Sequence, residues 1–258
     1  MIYSICTLVS DLQQYQAMRE SFRRHGFESE DCEYLQIDNT ILNRKDAYAG
    51  LNQLLNEARG RYVILCHQDV RMINDGREEL DAQLVRLEQI DPNWAVAGNA
   101  GGVRLGRLAL RITDPHGKNT SVGDLPAKVT TLDENFIIVK RSVRIGFSRD
   151  LTGFHFYGAD ICLTADVLGY SSYVIDFHLE HLSPGTASAE FFAAKSAFRR
   201  KWSYAFRSRW LQTTCATAPV AGTHFGRAFG TLAVLLWRAL RFSRAVSRES
   251  GWRVPGKS

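Results

Sequence analysis

Apolar strand-like runs alternate with helical faces along the first hundred residues, and that alternation admits few folds. Residues 2–9 read as a strand, and Leu12, Tyr15, Met18 and Phe22 follow at helical spacing. Residues 34–37 form a short second strand. Ala47, Leu51, Leu54, Leu55 and Ala58 then mark a helix that Gly60 should stop. Tyr62–Cys66 is a third strand, Leu80, Leu84, Leu87 and Ile90 a third helical face, and residues 94–97 a fourth strand. Strands separated by helices at this spacing pair in parallel through right-handed crossovers. The expectation is an α/β fold with a mostly parallel central sheet flanked by helices, and 258 residues that are 45% apolar can bury its core.

The third strand is apolar on both faces and ends abruptly at His67-Gln68-Asp69. In open α/β sheets ligands gather at that C-terminal end. Alternation along an extended chain points His67 and Asp69 the same way. One divalent cation can then meet Asp69 directly, and His67 directly or through water. A helix-capping Asp69 beside a polar loop would read the same. Asp38-Asn39-Thr40 ends the second strand at the same edge, where a carboxylate can accept hydrogen bonds from a base or ribose; ordinary turn chemistry also uses Asp-Asn. Further on, aromatics and glycines from Gly153 to Gly158 lead into a helix with Asp160 near its N-terminus, a position that capping explains as well as catalysis. His178 and His181 end an apolar strand over residues 173–177. Their three-residue spacing sends them to opposite faces, which leaves one of them to face the site.

From residue 98 the texture changes. Gly98-Asn99-Ala100-Gly101-Gly102 reads as a flexible loop beside a pocket, or as plain turn glycines; it lacks the third glycine and following helix of a dinucleotide fingerprint. Residues 104–129 look irregular and polar, and residues 136–139 return to strand. Near the C-terminus, Phe191, Phe192, Lys195, Phe198, Trp202 and Phe206 make an aromatic helical face with Arg199, Arg200 and Lys201 beside it. Residues 225–242 place Phe225, Phe229, Leu232, Leu236, Ala239 and Leu240 on one helical side, flanked by Arg227, Arg238, Arg241 and Arg244. That apolar core is too short to span a bilayer. It suits either the interface of an anionic membrane or docking on the catalytic domain. Residues 250–258 read as a frayed tail.

The net charge of +5 is unevenly placed, acidic over residues 28–33 and basic over 199–257. An anionic partner for the basic part follows. With no helix-turn-helix, zinc-finger or RNP-like pattern, nucleic acid is excluded in favour of phospholipid or a diphosphate-bearing substrate. Five cysteines without paired spacing, and no leader or spanning segment, predict a reduced cytoplasmic protein, peripheral at most to the inner face of the cell membrane.

Taken in order, these stretches resemble glycosyltransferase family 2, in particular its smaller bacterial members whose metal motif is not a strict Asp-x-Asp. The resemblance rests on the strand ending in Asp38-Asn39-Thr40, the helix ending Ala58-Arg59-Gly60-Arg61-Tyr62, and the strand ending in His67-Gln68-Asp69-Val70. Gly158-Ala159-Asp160-Ile161-Cys162-Leu163 and His181 before Ser183 complete it. It covers about residues 1–205 and implies a GT-A (Rossmann-like) nucleotide-diphospho-sugar transferase fold. Residues 1–100 would be the donor half, 101–205 the acceptor and catalytic half, and 206–258 a helical extension.

Roles follow from the same resemblance. Asp38 matches the acid that holds the donor nucleoside, with Asn39, Arg59 and Gln68 on the donor side. Asp69 matches the last carboxylate of the metal motif, binding Mg²⁺ or Mn²⁺, with His67 and His181 beside it. Asp160 matches the general base. Gly101, Gly102, Asp133, Glu134, His155 and Tyr157 fall on the acceptor side, and Arg199, Lys201 and Trp202 form a lid over the diphosphate. Two departures stand out. His67 replaces the first acid of the metal motif, which bears on metal identity. Ala159 replaces the acid beside the base, so like-charge repulsion would raise the pKa of Asp160 less.

The implied activity is hexosyl or deoxyhexosyl transfer from a UDP-, dTDP- or GDP-linked donor to a hydroxyl of a saccharide or lipid-linked acceptor, in cell-surface polysaccharide or glycolipid assembly. A departing diphosphate needs a cation, and a hydroxyl nucleophile needs a carboxylate base. No second carboxylate nucleophile is evident, which favours inversion. Two alternatives stand beside this reading: a non-catalytic nucleotide-sugar-binding relative, and a metal-dependent hydrolase using His67, Asp69 and one histidine of the 178–181 pair. Should Asp160 prove only a helix cap, Asp133 and Glu134 are the next candidates for the base.

Overall fold

The computed structural model describes residues 1–28, 30–185 and 188–249, with side chains described through residue 240 apart from position 238. The chain divides into two compact units, residues 1–198 and 199–258. In the first unit, β1 (Tyr3–Val9), α1 (Leu12–Arg24), β2 (Cys32–Asp38), α2 (Ala47–Glu57) and β3 (Tyr62–Cys66) alternate as expected. A short β4 (Val70–Met72) precedes α3 (Arg77–Ile90) and β5 (Trp94–Gly98). Five strands follow: β6 (Ala100–Arg104), β7 (Arg107–Asp114), β8 (Gly117–Val122), β9 (Ala127–Val129) and β10 (Thr131–Leu132). The unit continues through β11 (Phe136–Lys140), α4 (Tyr157–Val167), β12 (Ser171–Val174), β13 (Leu179–His181) and the start of α5 (Ala189–Phe206).

The main sheet has the order β2-β1-β3-β11-β5-β12-β9. Strands β1, β2 and β3 pair in parallel, as do β5 and β12, while β11 runs antiparallel between β3 and β5. Both faces are covered. Val63 and Leu65 of β3 and Ile137 and Val139 of β11 pack with Leu51 and Leu54 of α2 and Ile161 of α4. Their neighbours Ile64, Phe136 and Ile138 pack on the other face with Met18 and Phe22 of α1 and Leu80 and Leu84 of α3. Burial on both sides is why these strands read as unbroken apolar runs. Helices α1 and α2 start on side-chain caps: Asp11 accepts from the Gln13 and Gln14 amides, and Asp46 from that of Ala49.

Three expectations are corrected. Helix α2 ends at Glu57 with Ala58 already extended, so Gly60 is not its stop signal. A Cβ on Gly60 would lie 2.6 Å from the Ser4 backbone nitrogen, so glycine is required there by the close approach of β1. The glycines from 98 to 102 belong to β5 and β6 rather than to a loop. Residues 104–129, expected to be irregular, carry the whole of β7, β8 and β9. Much of this stretch joins a second sheet of order β10-β6-β7-β13-β4, with β8 on β7. Its polar outer strand β8 lacks the apolar alternation that betrays a half-buried strand.

The second unit begins within α5 and holds a hairpin of β14 (Arg209–Gln212) and β15 (Thr217–Val220), followed by α6 (His224–Glu249). No helix among the described residues is long and apolar enough to cross a membrane.

Candidate active site

Three elements meet at the C-terminal end of β3. The chain leaves β3 at Cys66, turns through His67, Gln68 and Asp69, and enters the second sheet at Val70. There β13 pairs antiparallel with β4 and sets His181 opposite Val70. This ladder brings His181, more than a hundred residues away in sequence, beside Asp69. Gln68 ties the turn to the end of β1, accepting from the Ser10 and Asp11 amides at 2.8 and 2.9 Å. Strand β11 starts alongside and places Asp133 and Glu134 at the same edge, and the N-terminus of α4 supplies Tyr157. These groups line a cavity of about 690 Å³ together with Ser10, Asn39, Phe154, His155 and Phe191.

His67, Asp69 and His181 each offer one ligand atom within 4.8 Å of the others. His67 Nδ1 is 3.3 Å from His181 Nε2, which is 3.5 Å from Asp69 Oδ1. Donors bound to one ion at about 2.0–2.2 Å stand roughly this far apart, so the residues fit a divalent cation. The tautomer of His67 fits as well. Tyr157 Oη donates to the Glu134 carbonyl at 3.1 Å and must therefore accept from His67 Nε2 at 2.8 Å. Neutral His67 then carries its proton on Nε2 and turns the bare Nδ1 toward His181.

Electrostatics agree. Burial and the neighbouring His181 push His67 below the ordinary imidazole range. Burial would lower His181 too, but its hydrogen bond and charge contact with Asp69 outweigh that and raise it. Burial alone would raise Asp69, yet hydrogen bonds from His181 and Ser183 hold it well below the usual carboxylate range. Without metal, a proton on His181 stands where a cation would; metal binding displaces such protons. Glu134 behaves oppositely. Burial and the charge of Asp133 push it up to about 8, against the pull of the Gly158, Phe156 and Tyr157 amides.

The structure gathers several of the expected residues and disperses others. His67, Gln68, Asp69, Asp133, Glu134, His155, Tyr157 and His181 all line the cavity, and on the β2 side so does Asn39. Asp38 is exposed and is not among the lining residues; its carboxylate is held by the Thr40 amide at 2.9 Å and hydroxyl at 2.6 Å. Arg59 sits at the other edge of the sheet, bonded to Glu33. Gly101 and Gly102 lie inside β6, where a Cβ on Gly101 would come within 2.3 Å of the Thr131 carbonyl; they let strands approach and do not touch the cavity. Asp160 is fully buried one turn into α4, accepting from the Ser148 amide and hydroxyl, both at 2.7 Å, and is likewise absent from the lining. Arg199, Lys201 and Trp202 fall in the second unit, whereas every lining residue belongs to the first. Sequence reasoning overlooked the clasp of Ser183 on Asp69 and the link from Tyr157 to His67. Ser183, two residues after His181, was the only local hint.

No protein-family model matches the chain. It is 37% identical over 227 residues to the protein "ATP synthase subunits region ORF 6" of Fuscovulum blasticum, covering 86% of this chain and 90% of that one. The chain belongs to one family with that protein, whose name gives a gene region and no activity. Among solved structures, S. aureus TarS 1–349 in complex with UDP-GlcNAc matches with a TM-score of 0.51 and 12% identity, over 72% of this chain and 60% of that one. GalNAc-T7 with UDP, GalNAc and Mn²⁺ matches with a TM-score of 0.53 and 8% identity, over 71% and 44%. The chain thus spans about three-fifths of the TarS 1–349 chain and less than half of the GalNAc-T7 chain. At these identities the likeness establishes the fold, which is of the GT-A type.

Proposed function

We propose that this chain is a metal-dependent glycosyltransferase that moves a sugar from a nucleoside-diphosphate sugar to a hydroxyl acceptor with inversion. The make-up of the cavity carries the reading. Asp69, Asp133 and Glu134 line it with three histidines, and among the described residues no lysine or arginine joins the lining. A diphosphate cannot settle against that lining without a cation to reverse its charge, and His67, Asp69 and His181 are placed to hold one. When bound, the ion would neutralise the charge that develops on the departing diphosphate. Two imidazoles beside one carboxylate favour Mn²⁺ over Mg²⁺, because nitrogen donors suit the softer ion. TarS is described with UDP-GlcNAc, and GalNAc-T7 with UDP, GalNAc and Mn²⁺, which supports a nucleotide-sugar donor here, UDP-, dTDP- or GDP-linked.

The chain's own groups divide the remaining work. Asn39, just after β2, takes the donor side in place of Asp38, its side chain closing the 39–45 loop through both main-chain groups of Lys45. Phe154, His155 and Phe191 give the rim aromatic surface for a sugar or base, with the His155 and Phe191 rings 5.4 Å apart. Glu134 is the base in place of Asp160. It takes the acceptor proton as the acceptor oxygen bonds to the anomeric carbon and the bond to the diphosphate breaks. A pKa near the working pH suits that task. The acceptor in this reading is a saccharide or lipid-linked sugar of cell-surface polysaccharide or glycolipid assembly.

One observation favours a second reading. A set of two histidines and one carboxylate, which leaves a coordination position open, is also the donor set of hydrolytic metal centres, where water takes the acceptor's place. Incubation with a panel of nucleotide sugars and Mn²⁺, with and without saccharide acceptors, separates the two. Acceptor-dependent nucleotide release that drops by about 10⁴-fold in Asp69→Ala supports transfer, the loss matching several kcal/mol of charge stabilisation. Metal-dependent cleavage indifferent to acceptor would identify a hydrolase, and binding without release a non-catalytic relative. Donor affinity unchanged by chelating the metal would sink the central claim.

A further inference from the structure

Helix α6 carries two apolar faces, and its own unit covers one of them. Gly230 lets the hairpin close on the helix: a Cβ there would lie 2.6 Å from the Pro219 side chain and 3.4 Å from Trp210 Nε1. Ala233 and Val234 line the cleft beneath that hairpin with Trp210 and Leu211. The other face is a stripe of Phe225, Phe229, Leu232 and Leu236, at i, i+4, i+7 and i+11. These four are 82%, 58%, 56% and 57% exposed. At helical rise they run about 16 Å along one side.

Charge singles out what covers the stripe. Residues 199–258 hold twelve of the chain's 32 lysines and arginines and one of its 27 acids, Glu249, a net charge of about +11; residues 1–198 carry about −6. A second copy pairing stripe to stripe would press two such charges together. A nucleic acid would leave the large apolar side chains in water. An anionic bilayer satisfies both features, since the stripe enters the acyl boundary while arginines reach lipid phosphates.

We propose that the second unit docks on anionic phospholipid membranes, with α6 lying in the interface through Phe225, Phe229, Leu232 and Leu236. This stands apart from the transfer reaction and would hold if that reading failed. The test is co-sedimentation of the full chain with phosphatidylcholine vesicles and with vesicles rich in phosphatidylglycerol. Binding should require the anionic lipid and fall steeply as salt rises. The triple variant Phe229→Ser, Leu232→Ser, Leu236→Ser should weaken it by at least about 100-fold, three apolar side chains no longer leaving water. Replacing Arg241, Arg244 and Arg248 with Gln should cost roughly fivefold per charge, and provides a second test should the serine variant fold poorly. Equal binding to neutral vesicles would overturn the proposal. So would a serine variant that folds and binds as well as the wild type, or stripe-dependent dimers in sedimentation velocity without lipid binding.

Discussion

The two edges of the main sheet hold the same kinds of residue and set them to opposite tasks. At the N-terminal edge, Glu33 accepts from Ser4 Oγ at 2.6 Å, the Arg59 amide at 2.7 Å and the Arg59 guanidinium at 2.7 and 2.9 Å. Burial would raise its pKa, but these partners outweigh it and lower it. Lys140 at the same edge is matched by Glu88 and the Pro92 carbonyl. At the C-terminal edge, half-buried Glu134 stands beside another acid and goes the other way. Polar groups whose needs are met within the protein add stability, while a carboxylate left beside its like is poised to exchange a proton with a ligand. Which edge a glutamate occupies says more about its role than its residue type.

The sharpest way to break this contrast is to neutralise Glu134. Glu134→Gln keeps the shape and should lower sugar transfer by on the order of 10²–10³-fold, while Asp160→Asn leaves the rate alone and lowers the melting temperature, because an amide cannot accept from both Ser148 groups. A slow Asp160→Asn enzyme with a normal Glu134→Gln enzyme would reverse the assignment. The same pair gives a pH signature. A carboxyl raised from its usual range to about 8 contributes stability that is complete below about 4.5 and is lost as pH climbs to about 8. The metal-free wild type should therefore lose stability relative to Glu134→Gln across that window and run parallel to it above. The wild-type transfer rate should rise over the same range as the base ionises.

A smaller effect is expected at the hydrogen bond that orients His67. Tyr157→Phe removes the acceptor of the Nε2 proton and frees the ring to present either tautomer. Mn²⁺ affinity should fall by about tenfold, in keeping with the loss of an outer-sphere partner, with little change in donor specificity. Unchanged affinity by calorimetry would mean that the contact only packs the ring.

The smallest catalytic effect belongs to the opposite edge. Glu33→Gln should cost about 1–2 kcal/mol of stability by denaturant unfolding and leave turnover within twofold. A large loss of activity there would show that the two edges are not separate in function.

How far these features could be read from residues alone depends on the length of chain over which they are written. Strands β1, β3, β5 and β11 were legible as short unbroken apolar runs buried on both faces, and helices α1 to α3 by apolar residues at a period of 3.6, each written within a dozen neighbours. The His67-Gln68-Asp69 end of β3 was legible for the same reason, since a buried run that stops on polar residues marks the ligand edge of a parallel sheet. Pairings made at a distance left no such trace. Strands β4 and β13 are three residues each, too short for a pattern, yet they carry His181 to Asp69. The glycines of β6 looked like a loop because the strand they accommodate is β10, some thirty residues on. Asp160 and Glu134 are both carboxylates that nothing in the sequence assigns to inside or outside; one turns inward to Ser148 and the other lines the cavity. Local periodicity settled the fold class and the edge where chemistry belongs. Long-range strand pairing settled which carboxylates and histidines meet there, because a side chain's spacing sets its face but not its partner across the sheet.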